Sequence, residues 1–459
     1  MQPDSTRHSR MLDIAWRGVR LSLAATVIGV VTGLAVAFFL WSLDQATLLR
    51  YEHPWLIYLM PLAGVLVALA YQRLCPQAEA GNNLLLEEIH EPAAGVPLWM
   101  APLVLLGTLA THVTGGSAGR EGTAVQMGGS LAHSVGQWLG IERSEQRTFL
   151  MAGMAAGFGA VFGTPVAGAI FAIEVLTHGQ LSYRGFLTCL LASIVGDTTT
   201  TLCGIGHTEY KIAPWMSAAA GSHLGPLDLV LLLKIVIAAV AFGLMARLFA
   251  ELTHRTSALL KRYVPWSLAR PAIGAAVVLL LTAIVASRDY LGLGVMPDPH
   301  DPSLMTIAGC FEEGGAGPMS WAWKTVFTAV TVGSGFKGGE VTPLFFIGAA
   351  GGNAMGTLLS APLGLLAAVG FVSLFAAATK TPLASTLMGI ELFVHGGDDL
   401  VGSGLVIYLA VGCYVASWVS GHASIYRSQR IAVPHHPTDE HLAGRSVGNL
   451  HEAPPTASH

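Results

Sequence analysis

Continuous apolar runs recur along most of the chain, separated by short polar or glycine- and proline-rich breaks. They cover about residues 20–43, 55–72, 98–113, 149–162, 165–177, 186–203, 226–250, 270–287, 319–333, 343–377, 382–395 and 401–420. Lipid cannot satisfy backbone N–H and C=O groups, so runs of this kind span a membrane as helices. Several are shorter than the ~20 residues that cross a bilayer, and many end in glycine or proline. The pattern therefore predicts an all-α, polytopic membrane protein with tilted, broken and re-entrant helices. Interrupted helices are tolerated at membrane depth where they line a cavity or lie buried in protein, and in transporters they commonly build the substrate site.

Composition agrees. The 459 residues are 53% hydrophobic and 11% charged, against the ~25% charge of ordinary soluble domains, and the mean hydropathy is +0.58. A net charge of −4 points to no nucleic-acid partner. The five cysteines are scattered without metal spacing, and four sit in or beside apolar runs, where a thiol acts as a small hydrophobe. No H-E-x-x-H or similar metal motif occurs, and neither a metal nor a cofactor is expected.

Four arginines, Arg7, Arg10, Arg17 and Arg20, precede the first run, without the h-region and cleavage site of a signal peptide. The excess of positive charge predicts a cytoplasmic N-terminus, and Arg427 and Arg430 after the last run predict the same for the C-terminus. The Pro/His-rich tail beyond Ile431 is expected to be disordered and is too short for a folded domain.

An internal repeat organises what lies between. Gly119-Arg120-Glu121-Gly122-Thr123 reads G-x-E-x-T, and so does Gly338-Gly339-Glu340-Val341-Thr342. TPVAGAIFAIE, from Thr164 to Glu174, matches TPLASTLMGIE, from Thr381 to Glu391, in the same order and at a nearly equal offset. About seven apolar runs separate the two copies, and an odd number of crossings inverts the second relative to the first. That is the inverted-repeat plan of many transporters, which hold substrate near the midplane where the copies meet. The predicted layout is an N-terminal segment over 1–19, a first membrane repeat over 20–215, a second over 216–430 and a tail over 431–459.

Each repeat carries a glycine-rich stretch leading into an apolar segment: GGSAGREGT before AVQMGGS, and GSGFKGGEVT before PLFFIGAAGG. Two further helices are expected to start at Thr164-Pro165 and Thr381-Pro382, with proline at its favoured first position. Helix N-termini offer unpaired N–H groups and a positive dipole end, and glycine admits an ion to the backbone. Several ends converging would make an anion site that binds firmly enough to dehydrate the ion and weakly enough to release it. Most of the 54 glycines are expected to serve close helix packing instead. These two loops differ because each carries an acid, and a carboxylate within a membrane is by default a functional group.

GGSAGREGT resembles the GREGP or GKEGP signature of the CLC chloride channels and transporters. FGTPVAGAIFAIE resembles that family's N-A-P-L-A-G-x-x-F segment, GGEVTP stands in place of its G-x-F-x-P motif, and AGNNLLLEEI in place of G-S-G-I-P. The resemblance runs from about residue 20 to 430. It departs at Asn82, in place of the chloride-coordinating serine, and at Leu85, Thr123 and Val341. Glu340 appears beside Val341, and Val175 stands where proton-coupled members often carry an inward glutamate. These changes resemble the fluoride-exporting branch of the family. The resemblance implies a CLC-type fold, a homodimer, and a secondary active transporter, not an enzyme, that exchanges fluoride for protons. It further implies an exporter in a bacterial inner membrane, conferring fluoride resistance.

In that frame Glu121 is the gate, a carboxylate that mimics the anion and binds a proton when the anion enters. Gly119, Arg120, Gly122, Val341 and Thr342 line the anion site, and Asn82 offers it an amide donor. Asn82 also reads as a cap of the helix LLLEEI. Glu340 reads either as a second acid at the site or as one neutralised by Lys337 or Lys380. Tyr426 closes the inner side of the site by resemblance, or is an interfacial aromatic anchor. His112 and His133 read as proton carriers or as histidines bonding neighbouring helices. The alternatives are a chloride/proton exchanger, a passive anion channel and, remotely, an intramembrane protease with Ser117 as nucleophile.

Overall fold

The structure, a computed structural model, describes residues 4–183, 185–212, 228–394, 404–433 and 443–449, with side chains from residue 18 onward except at 143 and 144. Its helices fall into two sets in matching order. The first comprises α1 (Asp4–Glu52), α2 (Met60–Leu74), α3 (Asn82–His90), α4 (Met100–Val113), α5 (Glu121–Trp138), α6 (Arg143–Phe162), α7 (Pro165–Glu174) and α8 (Phe186–Leu202). The second comprises α9 (Leu229–Tyr263), α10 (Ala269–Val285), α11 (Ser320–Gly333), α12 (Val341–Leu359), α13 (Leu363–Thr379), α14 (Pro382–Phe393) and α15 (Leu405–Val419). Helix α3 has no helical counterpart in the second set. Near its end α1 places Tyr51 in a cavity with Arg120, whereas α9 ends beside Lys261 in a cavity with Tyr426. Equivalent helices thus finish in different cavities, as inverted repeats require.

Among the described residues, three helical stretches are long and apolar enough to cross a bilayer, Gly18–Glu52, Pro54–Leu74 and Leu229–Tyr263, and the other apolar helices run to 10–17 residues. The short ones differ in how far the protein encloses them. Helix α13 is buried along nearly its whole length, and α12 packs along it through Gly348 against Gly370, as α5 packs along α6 through Gly128 against Gly153. A Cβ at any of these four glycines would collide with the partner's backbone carbonyl. Close packing is therefore what most glycines on these helices provide. The core lies where the repeats meet: Phe345 and Phe371 stack with centroids 3.9 Å apart, and Phe158 of α6 reaches Phe375 of α13 at 6.1 Å.

Two expectations are corrected. The apolar run 343–377 is two helices, broken at Ser360-Ala361-Pro362, where Ser360 takes a positive φ of 48°. Helix α5, the segment that follows GGSAGR, is buried along most of its length although glycine and polar residues fill it. Helix α1 starts at Asp4 and runs through the N-terminal segment into the first repeat without a break. The side chains of Arg7, Arg10 and Arg17 lie outside the described residues, as does the expected repeat boundary at 215–216. Beyond Ile431 the chain returns at 443–449. There Ile431 N–H donates to Arg445 O (3.0 Å), Gly444 N–H to Ile431 O (2.7 Å) and Val447 N–H to Gln429 O (2.9 Å). Strand β2 (Arg430–Ile431) also pairs in parallel with β1 (Thr177–His178). The returning segment satisfies backbone groups that a disordered tail would leave to water. The rest of the tail, 434–442 and 450–459, lies outside the described residues.

Candidate functional site

The two glycine loops meet directly. Gly119 N–H donates to Gly339 O at 2.5 Å and Gly339 N–H to Gly119 O at 2.7 Å, an antiparallel bridge between the repeats. Only glycine permits this approach: a Cβ on Gly339 would lie 2.7 Å from Gly122 N. The bridge sets the N-termini of α5 and α12 side by side.

Glu121, the first residue of α5, is 1% exposed. Its Oε2 accepts from the Thr342 N–H at 3.0 Å and from the Arg120 N–H at 3.1 Å, and its Oε1 accepts from the Thr342 hydroxyl. Thr342 is the second residue of α12. The carboxylate of one repeat thus occupies the positive end of the other repeat's helix, the place where an anion would bind. The arrangement is not symmetric. Thr123, the counterpart of Thr342, bonds Thr108 at 2.6 Å. Glu340, the counterpart of Glu121, lines a cavity instead. Lys337 and Lys380 do not neutralise it. Lys337 donates to Glu79 O at 3.4 Å, and Lys380 donates to Ser417 O at 3.3 Å and to the Ser420 hydroxyl.

That cavity, about 630 Å³, is lined by Gly81, Asn82, Gly122, Glu340, Val341 and Tyr426 among others. Asn82 opens α3 after Gly81, whose φ is 60°. The cap position belongs to Gly81, and no side-chain cap bond forms, so the capping reading of Asn82 is corrected. Its Oδ1 is buried without a partner, and its Nδ2 faces Gly122, 3.3 Å from where a Cβ there would stand. Tyr426 is 5% exposed, which excludes an interfacial anchor. The segment that holds it is fixed by Ile425 N–H donating to Ala378 O (2.9 Å) and by Ser428 N–H donating to Asn83 Oδ1 (3.0 Å).

A second cavity, about 370 Å³, is lined by Asp44, Thr47, Tyr51, Arg120 and His207 with the loop from Leu293 to Met296. Arg120 Nε stands 3.6 Å from Glu121 Oε1. Glu121 therefore lies between the two cavities, approached through Arg120 from one and flanked by Gly122 from the other.

The helix starts at Thr164-Pro165 and Thr381-Pro382 do not join this site, contrary to expectation. Val166 and Ala167 N–H donate to the Glu391 carboxylate at 3.0 and 2.8 Å, and Leu383 and Ala384 N–H donate to that of Glu174 at 3.0 and 2.8 Å. Each of α7 and α14 carries in its last turn the acid that caps the other, so the donors predicted for an anion are already filled. Both ring nitrogens of His112 rest on carbonyls, Thr108 O at 2.8 Å and Ala118 O at 3.1 Å, and His133 Nε2 lies 3.0 Å from Gln137 Nε2. The Ser117 hydroxyl bonds Thr328 Oγ1 at 2.8 Å, not the catalytic base that a protease nucleophile needs. No group of three or more metal-ligating side chains occurs among the described residues.

Sequence reasoning missed several residues. Gln126 lines the larger cavity with its amide beside Gly81; its signal was one amide in AVQMGGS. Gln429, fully buried, donates to Val175 O (2.9 Å) and Thr379 O (3.0 Å), terminating helices from both repeats. Tyr71 and Lys337 line the larger cavity as well.

Inverted helical repeats, with two cavities converging on a carboxylate held at a helix N-terminus, define a membrane protein of the anion-transporter class. The chain belongs to the CLC family: the family model described as voltage gated chloride channel matches residues 63–421. Members of this family are transporters and antiporters. A Pseudomonas syringae pv. tomato protein named chloride/fluoride channel protein is 40% identical over 465 residues, covering 100% of this chain and 97% of its own length. The crystal structure of a CLC-type fluoride/proton antiporter matches with a TM-score of 0.81 at 33% identity, over 91% of this chain and 99% of that one. A slow cyanobacterial Cl⁻/H⁺ antiporter shares the fold, with a TM-score of 0.72 at 19% identity over 93% and 96% of the two chains.

Proposed function

We propose that the chain is a secondary active transporter that exchanges fluoride for protons, exporting fluoride and conferring fluoride resistance. The observation that carries this reading is the Glu121 carboxylate seated on the N-terminus of α12 by Thr342. An anion entering that place must displace the carboxylate, and a displaced carboxylate takes up a proton more readily than one held by donors. One group then couples two opposed fluxes. Asn82, with an amide facing Gly122, and Glu340, free of a lysine partner, favour fluoride over chloride. Fluoride is the stronger acceptor and gains more from direct donors, and a protonated Glu340 adds one. The similarity to the fluoride/proton antiporter structure supports the same choice.

The remaining assignments follow from this reading. Gly119, Gly122, Val341 and Thr342 shape the passage, Arg120 attracts the anion from the smaller cavity and Tyr426 bounds it toward the larger. Both termini are cytoplasmic in a bacterial inner membrane, and a homodimer carries one pathway per chain. Electrode recording of fluoride and chloride efflux from proteoliposomes, with simultaneous pH recording, tests ion and coupling together. Fluoride release driving proton movement is expected. Fluoride release without proton movement would make the chain a channel, and chloride in place of fluoride would make it a chloride/proton exchanger.

A further inference from the structure

The larger cavity has a wall that the proposed exchange does not use. Lys337, in the loop before α12, places Nζ 4.3 Å from the centroid of the Tyr71 ring on α2, and both residues line the cavity. We propose that Lys337 and Tyr71 form a second binding site for a small inorganic anion, fluoride in the first instance, separate from the centre at Glu121. The proposal rests on the anion-transport reading for its ligand.

Three observations carry it. Lys337 has three N–H donors, yet among the described residues its one hydrogen bond is the long one to Glu79 O at 3.4 Å, and the Glu79 carboxylate, which attracts it, does not close to an ion pair. Its stem is fixed, because Gly107 stands so close that a Cβ there would lie 3.0 Å from Lys337 Cβ and Cγ. The ammonium is therefore held in place, near Glu79 but without a carboxylate in ion-pair contact.

The Tyr71 hydroxyl is buried without any hydrogen-bond partner, and Tyr71 is only 2% exposed. Buried hydroxyls are normally partnered, so an idle donor in a cavity wall beside an ammonium with spare N–H groups is a place for an acceptor. The cavity also carries Lys261, Arg270 and Arg427, against Glu79 and Glu340 as its acids, so its field draws anions inward. An ammonium is a compact, strongly hydrated charge, matched to a small hard anion better than to a large soft one. The site would hold fluoride before it reaches Asn82 and Glu121.

Calorimetric titration of the purified full-length chain with sodium fluoride tests this, using wild type, Tyr71→Phe, Lys337→Met and Lys337→Arg. Tyr71→Phe removes one oxygen and leaves the ring under the ammonium, so it keeps the test valid if Lys337→Met folds poorly. Loss of one fluoride-binding event, or at least a fivefold weaker one, is expected in Tyr71→Phe and Lys337→Met, with Lys337→Arg close to wild type. In proteoliposomes the half-saturating fluoride concentration should rise about as much while the proton-to-fluoride ratio stays unchanged. Wild-type fluoride binding in Tyr71→Phe and Lys337→Met would overturn the site and leave a structural cation–aromatic contact. A wild-type chain that moves no fluoride would instead overturn the proposed function.

Discussion

Glu121 and Thr342 are bonded twice across the repeats, the carboxylate accepting from both the N–H and the hydroxyl of one threonine. Neither residue's own repeat supplies the other half of this contact. Its register comes from the Gly119–Gly339 bridge, which sets the two helix starts side by side. In the proposed exchange the helix N-terminus is a single place for which a fixed carboxylate and a mobile anion compete, and occupation by one excludes the other.

Glu121→Gln should therefore uncouple the fluxes. Glutamine has nearly the same shape and can still accept from Thr342, but it carries no charge and no transferable proton. Fluoride gradients are expected to run down, if at all, without moving protons, as read by fluoride and pH electrodes on the same vesicles. Intact pH-driven fluoride accumulation in this variant would remove Glu121 from the gate.

Thr342→Val removes one of the three hydrogen-bond donors that hold the gate. A hydrogen bond to a charged group contributes about 1.5–3 kcal/mol, so the seated carboxylate should become roughly tenfold to a hundredfold less favoured. The expected result is slippage, with more fluoride released per proton than in wild type. Thr342→Ser, which keeps the hydroxyl, should restore the ratio. Equal ratios in the valine variant and wild type would show that the hydroxyl bond does not hold the gate shut.

Much of this was legible in the chain because duplication writes the same signal twice. G-x-E-x-T and TPxA…E, in the same order in both halves, pointed to the repeats and to Glu121 and Glu340 together. Hydropathy could not separate α12 from α13 within one apolar run. The departures from symmetry were also illegible. Thr123 and Thr342 are equivalent in sequence, yet one bonds Thr108 and the other Glu121, a difference made only by packing. The matched acids Glu174 and Glu391 were visible, but a pair of caps exchanged between helices exists only in three dimensions.

Those exchanged caps predict a stability effect separable from transport. Glu174→Gln and Glu391→Gln each remove a charge from a helix N-terminus and one acceptor from two N–H groups. Each should lower stability by about 1–2 kcal/mol. The caps share no hydrogen-bond partner, so the double variant should be close to additive. Thermal unfolding in detergent reads this, and the proton-to-fluoride ratio should not change. A normally stable Glu174→Gln that had lost proton coupling would mark Glu174 as a relay.

Asn82→Ser tests the choice of ion. The serine keeps a donor but withdraws it by more than a bond length from Gly122, leaving a wider gap suited to a larger and less demanding anion. Chloride flux relative to fluoride flux should rise, and an unchanged ratio would deny Asn82 any part in selectivity.

Glu340 is the remaining acid, and its freedom from lysine fixes the sign of a pH effect. When ionised it repels an anion in the larger cavity; when protonated it becomes a donor that fluoride accepts from more strongly than chloride does. Fluoride turnover should therefore fall on the alkaline side, where Glu340 is charged. Glu340→Gln, neutral at every pH and still a donor, should flatten that limb without loss of folding, because no ion pair is broken. A pH–rate profile of fluoride efflux at fixed proton gradient reads both effects. An alkaline limb that survives in Glu340→Gln would assign it to another group, and a variant that fails to fold would mean that Glu340 serves structure after all.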